Sequence, residues 1–214
     1  MKKNNKTKKG FSIGEVMVAM FILIFGIVSA VFLTAQSVKQ IGESRNAAIA
    51  TLLAQEGTEL VKNVRDNNVT QMNCGTSSDE RCTAFDDDTG YGLGSDTNSE
   101  YKCIIEYGNA ALTKILDCNI VEGQGQLYIN EQTYLYSHSG GGSVVTPFKR
   151  RIYIKYTNTN TGDLNDVVAE VASVVIWRKG EFPSSIDNIK TECKIGKDCV
   201  FTKMNLTSWI NYGE

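Results

Sequence analysis

Proline is nearly absent. Only Pro147 and Pro183 occur, so nothing before residue 147 carries the residue that most strongly interrupts a helix. Histidine is scarcer still, with His138 alone. That excludes zinc patterns built on two histidines, as the absence of any C-x-x-C spacing excludes those built on cysteine pairs. No metal site is expected. Catalytic signatures are missing too. There is no Walker A loop, and the glycine pairs Gly92–Gly94 and Gly123–Gly125 lack a third glycine and a strand-to-helix setting. His138 with Gly140, Gly141 and Gly142 has the letters of an oxyanion loop, but no G-x-S-x-G elbow accompanies it. No catalytic residue, cofactor or small-molecule substrate is expected, and the chain is not read as an enzyme. Charge is missing from the apolar run from Val16 to Leu33.

Charge is distributed unevenly over what remains. The totals are mild, 22 basic against 24 acidic side chains. Five of the lysines (Lys2, Lys3, Lys6, Lys8 and Lys9) precede Gly10, where there is no acid; the rest of the chain holds 17 basic and 24 acidic groups. A basic tip on an acidic body suits an anionic membrane surface at the tip and argues against nucleic acid as the body's partner. The uncharged run lies just after those lysines. A bilayer core takes about 20 apolar residues as helix, and residues 11–34 meet that. The lysines place the N-terminus in the cytoplasm and the remainder outside. All six cysteines (Cys74, Cys82, Cys103, Cys118, Cys193 and Cys199) follow this run. An even count in an exported domain indicates a disulfide framework whose connectivity is open among fifteen pairings.

An ordinary signal peptide accounts poorly for this N-terminus. The apolar run is longer than a typical h-region of about 7–15 residues, and no A-x-A site follows it. Glu15 stands inside it, where a carboxylate costs about 2–3 kcal/mol unless paired or interfacial. The string KKGFSIGEVMVAM, residues 8–20, closely resembles the processing site of type IV prepilins and type II secretion pseudopilins. The resemblance implies cleavage by a prepilin peptidase between Gly10 and Phe11, N-methylation of Phe11, and a role for Glu15 in neutralising the N-terminal amine of a neighbouring subunit during assembly. It covers residues 1–66. It further implies other pilin subunits, the peptidase, a pilus assembly platform and the membrane as partners. The chain would sit in the cytoplasmic membrane as a single-pass protein before assembly and in a surface filament afterwards. Many members carry a proline in the apolar segment; here Gly26 is the available weak point.

Residues 35–66 continue with helix formers. Ile49, Leu53, Leu60 and Val64, with Leu52 and Val61 beside them, form one amphipathic face. A helix over residues 11–66 would be on the order of 80 Å long. Gly42 and Gly57 read as tolerated helix glycines without a role. Residues 67–100 read as a polar loop pinned by Cys74–Cys82. Within it Asp86, Asp87 and Asp88 read as a solvated acidic loop, since their spacing does not match an EF-hand. Strands follow at 101–107, 111–121, 126–136, 148–156, 167–177 and 199–207. On the fourth, Ile152, Ile154 and Tyr156 share one face, and Arg151, Tyr153 and Lys155 the other. The basic cluster Lys149, Arg150, Arg151 and Lys155 reads as a solvated strand face rather than a DNA-binding one.

The expected fold is therefore α+β and pilin-like, a long N-terminal spine helix packed on an antiparallel sheet. The parts are a leader (1–10), a membrane or filament-core helix (11–34), its amphipathic continuation (35–66) and an exported domain (67–214). The expected function is that of a minor pilin-like structural subunit of a type IV pilus. The alternatives are a type II secretion pseudopilin, a membrane-anchored surface-binding protein, and a DNA-uptake pilin.

Overall fold

The computed structural model describes residues 10, 12–71, 100–107, 113–118, 124–140, 143–158, 167–194 and 197–207. The architecture is α+β. Helix α1 runs from Ile13 to Gln71, five residues beyond the expected end at Asp66, with no proline to stop it. Seven strands follow: β1 Glu100–Tyr107, β2 Thr113–Asp117, β3 Gln126–Ile129, β4 Tyr136–Ser137, β5 Val144–Asn158, β6 Val167–Trp177 and β7 Cys199–Thr207, with a short helix α2 Ile189–Glu192 before the last. The chain divides into two compact units, Met1–Arg45 and Asn46–Glu214.

In the second unit β5 is the organising strand. One of its edges pairs with β6, from Phe148↔Trp177 to Asn158↔Val167, and β6 pairs with β7. Its other edge is shared, by β3 at the start and by β1 further along, with β4 and β2 outside them. All pairings are antiparallel. Pro147 lies in the opening stretch of β5, before β6 joins it at Phe148, where a missing amide costs no bond to β6. The expected strand 126–136 is instead two short strands around a turn, because Asn130 accepts the amides of Gln132 and Thr133 on its side chain and bends the chain back.

Both faces of the sheet are covered. On one face Leu60, Val61 and Val64 of α1 pack on Cys103, Ile105, Ile152, Ile154, Tyr156, Ala169, Val171 and Leu206. Further along the same face Ala50, Leu53 and Ala54 pack on Leu127, Phe148, Val175 and Trp177. Leu52, counted in the expected apolar face, is instead 66% exposed. On the opposite face Tyr153, Ala172, Val174 and Ile176 lie under Ile186, Ile189 and the Cys193–Cys199 disulfide. The covering segment has little regular structure, and side chains from the sheet satisfy its backbone. Tyr153 donates to the carbonyl of Pro183 (2.6 Å), Lys102 to that of Ser184 (2.8 Å) and Lys203 to that of Ile186 (3.0 Å), while Glu100 accepts the Ile186 amide (3.0 Å). A strand buried on both sides needs apolar residues at consecutive positions, and β6 (VVAEVASVVIW) has them.

This arrangement overturns the reading of the basic cluster. Arg150 and Arg151 are only 1% and 6% exposed, so neither belongs to a solvated face nor to a DNA-binding one. Arg150 sits between α1 and the sheet. Its guanidinium donates to the carbonyls of Leu53 (3.3 Å) and Ile105 (3.0 Å) and pairs with Glu56 (3.3 Å). Arg151 points to the other face and lies on the ring of Phe182, 4.3 Å from its centroid. Gly57 also has a role. A Cβ there would fall 2.2 Å from the Ser173 hydroxyl and 3.1 Å from Cδ of Arg150, so glycine is what lets α1 approach β6. Gly125, in a left-handed conformation (φ 109°), accepts the Arg150 amide at 2.7 Å. Its missing Cβ would otherwise meet the Arg150 carbonyl at 2.6 Å.

His138 follows β4, with Nδ1 3.0 Å from the Gln126 carbonyl and its amide donating to Glu106. Burial, and secondarily the charge of Arg150, lower its pKa from 6.5 to about 4. The cysteines pair with their sequence neighbours, Cys103 with Cys118 and Cys193 with Cys199; Cys74 and Cys82 lie outside the described residues.

Two stability measurements on the full chain in detergent micelles check this packing. Gly57→Ala should lower stability by about 1–3 kcal/mol, the usual cost of overpacking a filled contact, seen as a lower urea midpoint with an unchanged slope. The lowered histidine pKa means that the unfolded chain binds the proton more tightly. Its contribution is therefore complete above about pH 6.5 and is lost as pH falls toward 4, on the order of 2–3 kcal/mol. The urea midpoint should drop between pH 7 and pH 4.5 (~2.5 units), and His138→Gln should flatten that drop.

Candidate functional site: an exposed apolar helix with an acidic first turn

The N-terminal motif falls at the start of α1. Gly10 is exposed and outside the helix. Ser12, a residue type favoured just before a helix, accepts the amides of Glu15 (3.0 Å) and Val16 (3.3 Å) on its carbonyl. The helix thus begins three residues after Gly10, and Phe11 lies outside the described residues. Glu15 occupies the first turn with its side chain exposed. A carboxylate there is stabilised by the free amides and the helix dipole by about 0.3–1 kcal/mol.

Beyond Glu15 the helix is uncovered. Every large apolar side chain from Ile13 to Leu33 is between 44% and 82% exposed. The segment is long and apolar enough to cross a membrane, with mean hydropathy 2.9 in its most apolar window. Its few hydroxyls are turned inward: Ser29 donates to the carbonyl of Phe25 (2.8 Å), and Thr34 to that of Ala30 (2.8 Å). Polar groups satisfied within their own helix are what a water-poor surrounding requires.

Elsewhere the described residues offer little chemistry. Two open clefts have mixed-charge walls. One, of about 480 Å³, is lined by Lys179, Glu181, Phe182, Glu192, Lys197 and Asp198; the other, of about 310 Å³, lies along Glu56–Asp66 of α1. Among the described residues neither lining holds a serine, threonine, cysteine or histidine. Among the described residues no group of three or more histidine, cysteine or acidic side chains could hold a metal. Asp86, Asp87 and Asp88 lie outside the described residues. The structure places Gly10 before the helix and Glu15 in its first turn, and the sequence reading missed the burial of Arg150 and the close contact at Gly57, whose roles come from partners distant in the chain. No protein-family model, curated protein or solved structure matches this chain.

A charge in the middle of the uncovered segment checks its membrane character. Ile24→Arg should oppose insertion by about 2.5–3.5 kcal/mol, visible as a smaller fraction of the chain spanning the bilayer in a glycosylation-tag insertion assay. Leu52→Arg, on the exposed face of the second unit, should leave that fraction unchanged.

Proposed function

We propose that this protein is a pilin-like structural subunit, cut between Gly10 and Phe11 by a prepilin peptidase, N-methylated at Phe11, and assembled into a filament through the first half of α1. The observation that carries the reading is the combination, within residues 8–20, of a lysine-rich approach, Gly-Phe, and a glutamate five residues past Gly10. The setting of that combination supports it. The Gly10 side of the proposed cut is exposed and precedes the helix, the glutamate is exposed in the first turn, and the apolar side chains beyond it are uncovered. A peptidase needs extended, accessible backbone, and a filament core needs apolar helix surface free for neighbours.

Cleavage would leave a positive amine at Phe11 beside a low-dielectric helix. An isolated charge there is costly, whereas an amine–carboxylate pair in such surroundings is much stronger than in water. Glu15 of one subunit against the Phe11 amine of the next would set the axial register while apolar burial supplies cohesion. On this reading the lysine-rich N-terminus stays in the cytoplasm and the folded unit lies outside before assembly. The size and the cysteines suit a minor pilus subunit. A type II secretion pseudopilin would use the same N-terminal chemistry, and the assembly partner separates the two. The DNA-uptake reading loses its support, because Arg150 and Arg151 are buried.

The test is a comparison of wild type and Glu15→Ala when co-expressed with a prepilin peptidase and an assembly platform. The variant should reach the membrane and be processed, yet enter sheared filaments at least about ten-fold less, the equivalent of losing about 1.4 kcal/mol per contact. Equal incorporation of the two chains would remove the proposed role of Glu15.

A further inference from the structure

Two strands share one edge of β5, and a gap lies between them. β3 pairs with β5 as far as Gln126↔Lys149, and β1 pairs with it only from Ile152 onward. Between the two stand Arg150 and Arg151. Among the described residues no strand pairing joins β1 to β3 or β4. Side chains close the gap instead. The Arg150 guanidinium donates to the Ile105 carbonyl of β1 (3.0 Å) and the Leu53 carbonyl of α1 (3.3 Å), and it pairs with Glu56 (3.3 Å). Glu106, near the end of β1, accepts the His138 amide (2.9 Å) and the Ser139 hydroxyl (2.9 Å), both just past β4. The His138 ring turns back on β3, with Nδ1 3.0 Å from the Gln126 carbonyl.

This seam is sensitive to one proton. A bond from Nδ1 to a carbonyl puts the proton of the neutral ring on Nδ1. Nε2 is then bare, and it is buried without a hydrogen-bond partner among the described residues. A second proton would create an unmatched N–H there, the costly case for a buried donor, and a charge beside Arg150. The charged groups that face the ring are Arg150 from β5, Glu106 from β1 and, through Arg150, Glu56 from α1. With His138 neutral the set holds one cation and two carboxylates. With every member protonated it holds two cations and nothing to oppose them. Arg150 and Glu106 are both buried, so water does little to screen the change.

We propose that the seam is an acid-operated latch: protonation of His138 frees β3 and β4 from β1 and α1, while β5, β6 and β7 stay paired. β6 lies in unbroken register between its two neighbours, and no histidine lies in those three strands. Acid thus acts on one part of the sheet before it acts on the whole. Opening uncovers Leu127 and the α1 residues clustered with it, Ala50, Leu53 and Ala54. Apolar helix surface that is closed at neutral pH is then bared. The sign follows from the ring's lowered pKa, about 4 against an ordinary 6.5. The opened segment binds the proton more tightly than the closed one, so opening is favoured as pH falls through that window.

Hydrogen exchange read by mass spectrometry on the full chain in detergent micelles tests this, with exchange times scaled for the intrinsic effect of pH. Between about pH 7 and about pH 4, residues 126–137 should lose at least about ten-fold in protection, and β6 should not. His138→Gln, which keeps a donor for the Gln126 carbonyl, should hold residues 126–137 closed in acid. A second measurement needs no substitution. His138 is the only histidine, so its ring gives a single carbon-13 NMR signal in the wild-type chain. That signal should titrate at the pH at which residues 126–137 lose protection. Loss of protection in residues 126–137 and β6 together overturns the proposal in favour of unfolding of the whole unit. Unchanged protection in acid, or a loss that His138→Gln does not prevent, overturns it outright. So does a ring that titrates near pH 6.5 while residues 126–137 stay protected.

Discussion

The helix from Ile13 to Gln71 has to satisfy two different surroundings with one backbone, and the rest of the structure answers to that constraint. From Asn46 onward its apolar stripe is met by the sheet, with Ala50, Leu53, Leu60, Val61 and Val64 all buried. Among the described residues, none of the large apolar side chains from Ile13 to Leu33 is buried. A helix with so much apolar surface in water would be an aggregation hazard. Lipid, or neighbouring copies of the same helix, relieves it. The uncovered segment is thus the part of the helix that remains to be partnered, and the part on the sheet is already covered.

Docking of the helix on the sheet is specified by a few polar and steric details as well as by apolar packing. A buried guanidinium is costly unless its donors are met, and Arg150 meets carbonyls from α1 and β1 together with a carboxylate from α1. These partners are placed correctly only when α1 lies in one register on the sheet. Gly57 against Ser173 narrows the choice further, because it is a contact that a Cβ would fill. Helix and sheet therefore fit in a single way, which the apolar stripe alone would not ensure.

Much of this was legible in the sequence, for physical reasons that also mark where legibility stops. Periodicity is local, so α1, β1, β6 and β7 stand out by the spacing of their apolar residues. The α+β class came from the same signals. The two-faced burial of the sheet did not, because residues 178–194 have little periodicity and cover the sheet through side chains anchored far away in sequence, such as Glu100 and Lys102. Arg150 and Arg151 were misread for a related reason: adjacent basic residues look solvated until a partner such as Glu56 or Phe182 is brought against each. Disulfide pairing was open in the sequence because fifteen pairings satisfy the count, whereas the folded chain selects Cys103–Cys118 and Cys193–Cys199 by bringing those ends together. At the candidate site the position was reversed. The roles proposed for Gly10 and Glu15 rest on the linear sequence, because a peptidase and a neighbouring subunit would read that stretch before any tertiary structure bears on it.

The central claim, that the chain is a processed filament subunit, is tested most directly by the intact mass and N-terminal residue of the protein after co-expression with a prepilin peptidase, beside a Gly10→Ala variant. The account predicts a mature chain that begins at N-methylated Phe11 and a variant that keeps its leader. A full-length, unmodified N-terminus on the wild-type chain, under conditions in which a control prepilin is cut, would contradict it and leave a membrane-anchored protein that does not polymerise.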